Sequence, residues 1–207
     1  MKMTNRWNRI IYRLWSAVYD KTVGRFFLPG RRRALEILEL KPGERLLLVG
    51  AGTGADLPLL PEGVDIMGVD LSPEMLARAR SKLPLPGRSV MLIQGDAQRL
   101  LVEQAAFDAV VFNLILSVIP DGRACLHENL RALKPGGRAV VFDKFAPETG
   151  YIPIGRRILN IFSTIFGTDI TRKFGDMLRD SGAEVVCQEA SIFRGKYQIF
   201  LLKKSNK

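Results

Sequence analysis

Groups that build metal centres and nucleophilic relays are scarce in this chain: 207 residues hold two cysteines, Cys125 and Cys187, and one histidine, His127. The cysteines lie far apart in apolar contexts and without a ligand spacing, so they read as reduced core residues and no metal site is expected. His127 falls within a helical stretch rather than at a strand end, which argues against a histidine general base. No run of eighteen uncharged apolar residues occurs, so nothing reads as a membrane span. Arg6, Arg9 and Arg13 interrupt the apolar residues of the N-terminal stretch, which therefore lacks the plan of a secretory signal and points to the cytoplasm. A Gly-Lys-Ser/Thr sequence for cradling a triphosphate is also missing.

The composition that remains is ordinary for a globular protein, with 47% hydrophobic and 25% charged residues, and the length suits one substantial core. The net charge of +10 is unevenly spread. Residues 1–33 carry nine Lys or Arg against Asp20 alone, 34–150 carry twelve against fifteen acids, and 151–207 carry ten against five. A mildly acidic centre with two basic flanks suggests an anionic partner surface, either lipid headgroups or nucleic acid.

The centre is organised around Arg45 to Asp70. Leu46 to Val49 is apolar without alternation, as in a strand buried on both faces of a parallel sheet. Gly50, Gly52 and Gly54 follow, allowing a tight turn and close approach of backbone N–H groups to a ligand. A helix-compatible stretch comes next, then a second buried run, Ile66 to Val69, ending in Asp70, where a carboxylate can accept from both hydroxyls of a ribose. Together these features imply a nucleotide-containing cofactor, although the spacing is not the G-x-G-x-x-G of dinucleotide enzymes.

Alternation continues along the chain. A helix is expected over Pro73 to Lys82 with Ser72 as N-cap, strands over Val90 to Ile93 and Phe107 to Phe112, and a helix from Asp121 to Leu133 stopping at Lys134-Pro135-Gly136-Gly137. Further strands fall at Ala139 to Phe142, Glu184 to Glu189 and Tyr197 to Lys203, the last two joined through Arg194-Gly195, with a helix over Arg172 to Asp180 before them. This is an α/β pattern: a doubly wound, mostly parallel sheet with right-handed crossovers and its ligand at the strand C-terminal ends.

The segments VGAGTG, GVDLSPEML, QGDAQRL, FDAVVFN and LKPGG resemble, in order, the motifs of class I S-adenosylmethionine-dependent methyltransferases, over about Arg31 to Phe145. The resemblance implies a seven-stranded Rossmann-like sheet closed by a C-terminal antiparallel hairpin. S-adenosyl-L-methionine would be the cofactor and S-adenosyl-L-homocysteine the product. Gly50, Ala51, Gly52, Thr53 and Gly54 would approach the methionine part, Asp70 would hold the ribose, Leu71 and Met75 would flank the adenine, and Asp96 with Ala97 would read its edge. Asn113 would close the site at the end of the fourth strand. Where this family often has an acid, two residues before the first glycine, the chain has Leu48. The Asp/Asn-Pro-Pro-aromatic sequence of methyltransferases acting on nucleobases is also absent, since the chain reads Asn113-Leu114-Ile115-Leu116.

The flanks carry the remaining expectations. Beyond Thr4, a candidate N-cap, apolar residues recur at helical spacing at Trp7, Ile10, Ile11, Leu14, Trp15 and Val18, with Arg9 and Arg13 to the side. This is the pattern of an interfacial helix with tryptophans at headgroup depth; a lid packed on the domain is the alternative. A second basic cluster, Arg31 to Arg33, opens an expected helix ending at Leu40, and Arg31 is expected at the lipid headgroups with Trp7, Arg9, Arg13, Trp15, Arg156 and Arg157. The lead from Tyr19 resembles that of small bacterial phospholipid and quinone methyltransferases, which would place Tyr19 over the cofactor as a positioning residue. Residues 151–170, with Arg156 and Arg157 beside an apolar stripe, resemble the acceptor-side insertion of phospholipid methyltransferases.

The expected layout is a basic segment 1–33 followed by a catalytic domain 34–207. The expected activity is N-methylation of phosphatidylethanolamine by a monomer peripheral on the inner face of an anionic membrane, without metal or nucleic acid. C-methylation of a demethylquinone and a basic RNA-binding protein are the alternatives.

Overall fold

In the computed structural model, residues 24–148 and 168–206, together with Thr4, are described. The strands are β1 (Arg45–Val49), β2 (Asp65–Asp70), β3 (Ser89–Gln94), β4 (Phe107–Asn113), β5 (Leu133–Lys144), β6 (Ala183–Ala190) and β7 (Tyr197–Lys204). They form one sheet in the order β3-β2-β1-β4-β5-β7-β6. The first five strands are parallel, and β7 runs antiparallel to both β5 and β6. Helices α1 (24–38), α2 (Pro73–Arg80), α3 (Gly122–Arg131) and α4 (Phe174–Leu178) cover the faces. The expected seven-stranded, doubly wound architecture with its C-terminal hairpin is therefore present.

Period-two alternation in β1 explains the two cores. Leu47 and Val49 face one side, with Val110, Phe112 and Val141, under α3 residues Cys125, Leu126 and Leu130 and α4 residues Phe174 and Met177. Leu46 and Leu48 face the other, with Val111, Val140 and Phe142, under Ala34, Leu35 and Leu38 of α1 and Ala79 of α2. All four β1 residues have no accessible surface, as a central parallel strand with helices on both faces requires. Register then aligns the strand ends: Val49 lies opposite Val69 and Phe112, and Asn113 lies opposite Phe142.

Several boundaries differ from expectation. The helix expected to open at Arg31 already runs through Pro29-Gly30, from at least residue 24 among the described residues. Tertiary packing overrides the local break signal here. Phe27 meets the rings of Phe142 and Tyr197 at 6.4 and 5.1 Å, and a Cβ on Gly30 would lie 2.2 Å from the Phe142 ring, so glycine is what lets α1 reach the sheet. Between β1 and β2 the chain makes only a 3-10 turn, Leu57–Leu59, with Pro58 at its centre, rather than a full helix. Helix α3 ends at Arg131 because Leu133 pairs with Phe107 in the sheet and Lys204 donates to the carbonyls of Leu130, Arg131 and Leu133. That contact roots a C-terminal tail which composition alone marks for fraying. Helix α4 is shorter than expected, since Asp169 accepts from the N–H and hydroxyl of Thr171 and holds the preceding turn out of the helix. Cys125 is buried as expected, but Cys187 is only half-buried on β6.

Candidate cofactor site

Gly50 leaves β1 with φ +68° and Gly52 follows with φ +54°, backbone that a side chain strains. A Cβ on Gly50 would press on Ile115 at 2.7 Å, whereas one on Gly52 would meet nothing nearer than the Gly50 carbonyl at 3.9 Å. Bare backbone at Gly52 therefore faces open cavity. Asp70 latches this loop to the end of β2: one carboxylate oxygen accepts from the Gly52 N–H (2.7 Å) and the other from the Ser72 N–H (2.9 Å). Ser72 then caps α2 by accepting from the Met75 N–H. Burial raises the Asp70 carboxyl above the usual range, against the N–H bonds from Ser72, Gly52 and Leu71, which favour its charged form.

One cavity lies over these strand ends. Gly50, Ala51, Gly52 and Thr53 line one side, Asp70, Leu71 and Met75 a second, Asp96 and Ala97 a third, and Asn113 the floor. The structure thus brings together every expected cofactor residue except Gly54. That glycine turns away, and its Cβ position lies 2.9 Å from Leu57 and 3.0 Å from Ala79, so it serves the packing of the loop on α2 rather than a ligand. Asp96 is preorganised by accepting from the Gln98 N–H and side-chain amide, and Gln98 in turn accepts from the Asp121 N–H.

Two parts of the wall were not foreseen. Leu114, Ile115, Val118, Ile119 and Pro120 form an apolar side facing the glycine loop; an apolar run directly after a strand end was the available signal. Asp143, fully buried, holds this segment by accepting from the N–H groups of Ser117 and Lys144, both at 2.8 Å. Its carboxyl is pushed up by burial, opposed first by the Lys144 charge. The second part is Arg31, expected at a lipid headgroup. It points inward instead, is 8% exposed, pairs with Asp56 at 2.5 Å and lines the cavity. Asp56 also accepts from the Asn113 amide at 2.9 Å, and the Asn113 carbonyl oxygen is buried without a partner among the described residues. Tyr19, Trp7, Arg9, Arg13, Trp15, Arg156 and Arg157 lie outside the described residues.

These groups fit S-adenosylmethionine on their own chemistry. Asp70 presents acceptors for a ribose diol, and Leu71 and Met75 offer apolar faces for an adenine. The unpartnered Asn113 oxygen suits an ammonium donor, and the Arg31 guanidinium suits a carboxylate. Leu48 is buried in the sheet and does not line the cavity.

A mostly parallel sheet bearing such a cavity at the ends of β1, β2 and β4 is the layout of a nucleotide-cofactor site. Residues 47–141 match the family described as "Methyltransferase domain". A phosphatidylethanolamine N-methyltransferase of Cereibacter sphaeroides is 34% identical over 179 residues, covering 86% of this chain and 87% of the relative. A demethylmenaquinone methyltransferase of Beutenbergia cavernae is 37% identical over 118 residues, covering 56% and 48%. Among solved structures, a chain from the complex between the Haloferax volcanii Trm112 methyltransferase activator and a methyltransferase superposes with a TM-score of 0.74 at 19% identity, covering 94% of this chain and 97% of that one, a likeness of fold alone. The chain belongs to the S-adenosylmethionine-dependent methyltransferase family, and S-adenosylmethionine is its cofactor.

Proposed function

We propose that this enzyme methylates the amine of phosphatidylethanolamine, and of its mono- and dimethyl products, at an anionic membrane surface. The observation that carries the proposal is the relative of that name, which aligns along 87% of its own length, whereas the demethylmenaquinone methyltransferase aligns along 48%. The cavity chemistry is compatible with it. Its ionisable lining side chains among the described residues are Arg31, Asp70 and Asp96, and all three are already engaged: Arg31 in an ion pair, Asp70 in the loop latch and Asp96 with Gln98.

The cofactor supplies a methyl group made electrophilic by its sulfonium sulfur. A neutral amine attacks with its own lone pair and releases its proton to water, so alignment and desolvation are the main demands on the protein. The glycine loop and Asp70 fix the cofactor end, the apolar wall from Leu114 to Pro120 excludes water, and Asn113 and Arg31 orient the methionine end. Tyr19 would position the acceptor. No helix among the described residues is long and apolar enough to cross a membrane, which suits surface attachment through the basic flanks. On this reading the protein acts as a monomer on the inner membrane face, without metal or nucleic acid.

C-methylation of a demethylquinone is the second reading, favoured by the shorter alignments to demethylmenaquinone methyltransferases. Labelled S-adenosylmethionine presented with anionic liposomes containing phosphatidylethanolamine, or a demethylmenaquinone, separates the two. Label in mono-, di- or trimethylated lipid that is lost on deleting residues 1–18 supports lipid chemistry with an N-terminal anchor. Label in the quinone alone removes the lipid assignment.

A further inference from the structure

Beyond the N-terminal flank, the structure assigns a second membrane-seating surface to the rim where the start of α1 meets the turn between β6 and β7; it rests on the reading of a membrane-resident acceptor. Phe26, Leu28 and Phe193 are exposed there, Phe26 by 66% and Phe193 by 50%. Phe27 lies inward between them and stacks edge-on to Phe193 at 6.2 Å, so helix and turn form one continuous face. Arg25, Arg32, Arg194 and Lys196 are exposed around it, and none is in an ion pair among the described residues. The nearest acid on the hairpin, Glu189, is already paired with Arg33 at 2.6 Å. Large apolar side chains ringed by uncompensated cations match the boundary of an anionic bilayer, apolar groups among the acyl chains and guanidinium on phosphate.

Two features make this more than scattered surface. The turn holds Phe193 and Arg194 at φ 55° and 57°, backbone that side chains rarely adopt, and so presents both residues outward at a local cost. Its location is also apt. β6 runs parallel to β5 through their common antiparallel neighbour β7, so the turn after Ala190 lies at the sheet edge that carries the cofactor cavity. Arg31, which lines that cavity, follows Phe27 and Leu28 by about one helical turn, about 5.4 Å along the axis. A bilayer seated on this rim therefore lies beside the cavity mouth, where an amine headgroup must arrive.

The test is sedimentation of the full-length protein, bound to S-adenosylhomocysteine, with phosphatidylglycerol/phosphatidylcholine vesicles that contain no methyl acceptor. Phe193→Gly suits the left-handed backbone, so it should keep the thermal midpoint and homocysteine-product binding while lowering vesicle partitioning at least fivefold. Arg194→Gln with Lys196→Gln should lower partitioning severalfold at low salt and flatten its salt dependence. The surface is overturned if both variants partition as wild type while deletion of residues 1–18 abolishes binding. It is also overturned if the variants lose self-association or RNA binding instead of vesicle binding. Methyl transfer to detergent-dispersed phosphatidylethanolamine is measured separately: its absence from a protein with patch-dependent vesicle binding defeats the acceptor assignment and leaves the surface standing.

Discussion

Arg31 of α1 and Asp56 of the turn after β1 form a buried ion pair at 2.5 Å, with Asp56 only 1% exposed, and Asn113 at the end of β4 donates to the same carboxylate. The pair ties the N-terminal helix to the cofactor loop. Removing one partner leaves the other charge buried and uncompensated, which costs about 3–5 kcal/mol. Arg31→Leu should therefore lower the thermal midpoint by roughly 6–20 °C, and adding Asp56→Asn should recover part of that loss. The same substitution should weaken S-adenosylhomocysteine binding more than methylthioadenosine binding in calorimetry, because only the former carries the carboxylate. Equal losses for both ligands would show that Arg31 acts through the fold alone.

Asp70 predicts a pH dependence with opposite signs for binding and stability. Burial raises its folded pKa above the unfolded value, so between the two values the folded state holds the extra proton and Asp70's contribution to stability falls as pH rises. Cofactor binding needs the carboxylate, so affinity is present above the raised pKa and falls as pH drops through it. Acidification should weaken S-adenosylhomocysteine binding at a higher pH than an ordinary aspartate dictates. Asp70→Asn should abolish that dependence and cost roughly tenfold to a hundredfold in affinity, the worth of charge-assisted hydrogen bonds.

Gly30 is under steric rather than conformational demand, since its Cβ position lies 2.2 to 2.9 Å from three atoms of the Phe142 ring. Gly30→Ala should destabilise by about 1–3 kcal/mol, as overpacking does, despite the better helix propensity of alanine. Urea titration should show the double variant Gly30→Ala, Phe142→Leu to be less damaged than the sum of the single changes.

Thiol titration separates the two cysteines. Burial drives the Cys125 thiol far above its ordinary pKa, whereas Cys187 is half-buried on β6. A thiol reagent at neutral pH should modify one residue in the native protein and two in guanidinium. Two fast native reactions would place Cys125 outside the α3 core.

Local chemistry made much of the cofactor half legible. The buried run Leu46 to Val49, the glycines after it, Asp70 at the end of the next strand and Ser72 before α2 act within a few residues of themselves, so short-range pattern carries them. Gly54 shows the limit, because its sequence position equals that of its loop neighbours while its contacts, Leu57 and Ala79, are supplied by how the loop settles on α2.

What the sequence by itself determined was the mostly parallel sheet, the order of its motifs and a nucleotide-containing cofactor at its strand ends, because periodicity and turn chemistry are properties of contiguous residues. Tertiary structure alone decided that Arg31 faces a cavity rather than solvent, that α1 continues through Pro29-Gly30, and that Leu114 to Pro120 walls the site. Each of these depends on a partner far along the chain, Asp56 for the arginine, Phe142 for the glycine and Asp143 for the wall. A charge or an apolar run acquires its direction only when packing brings such a partner within reach.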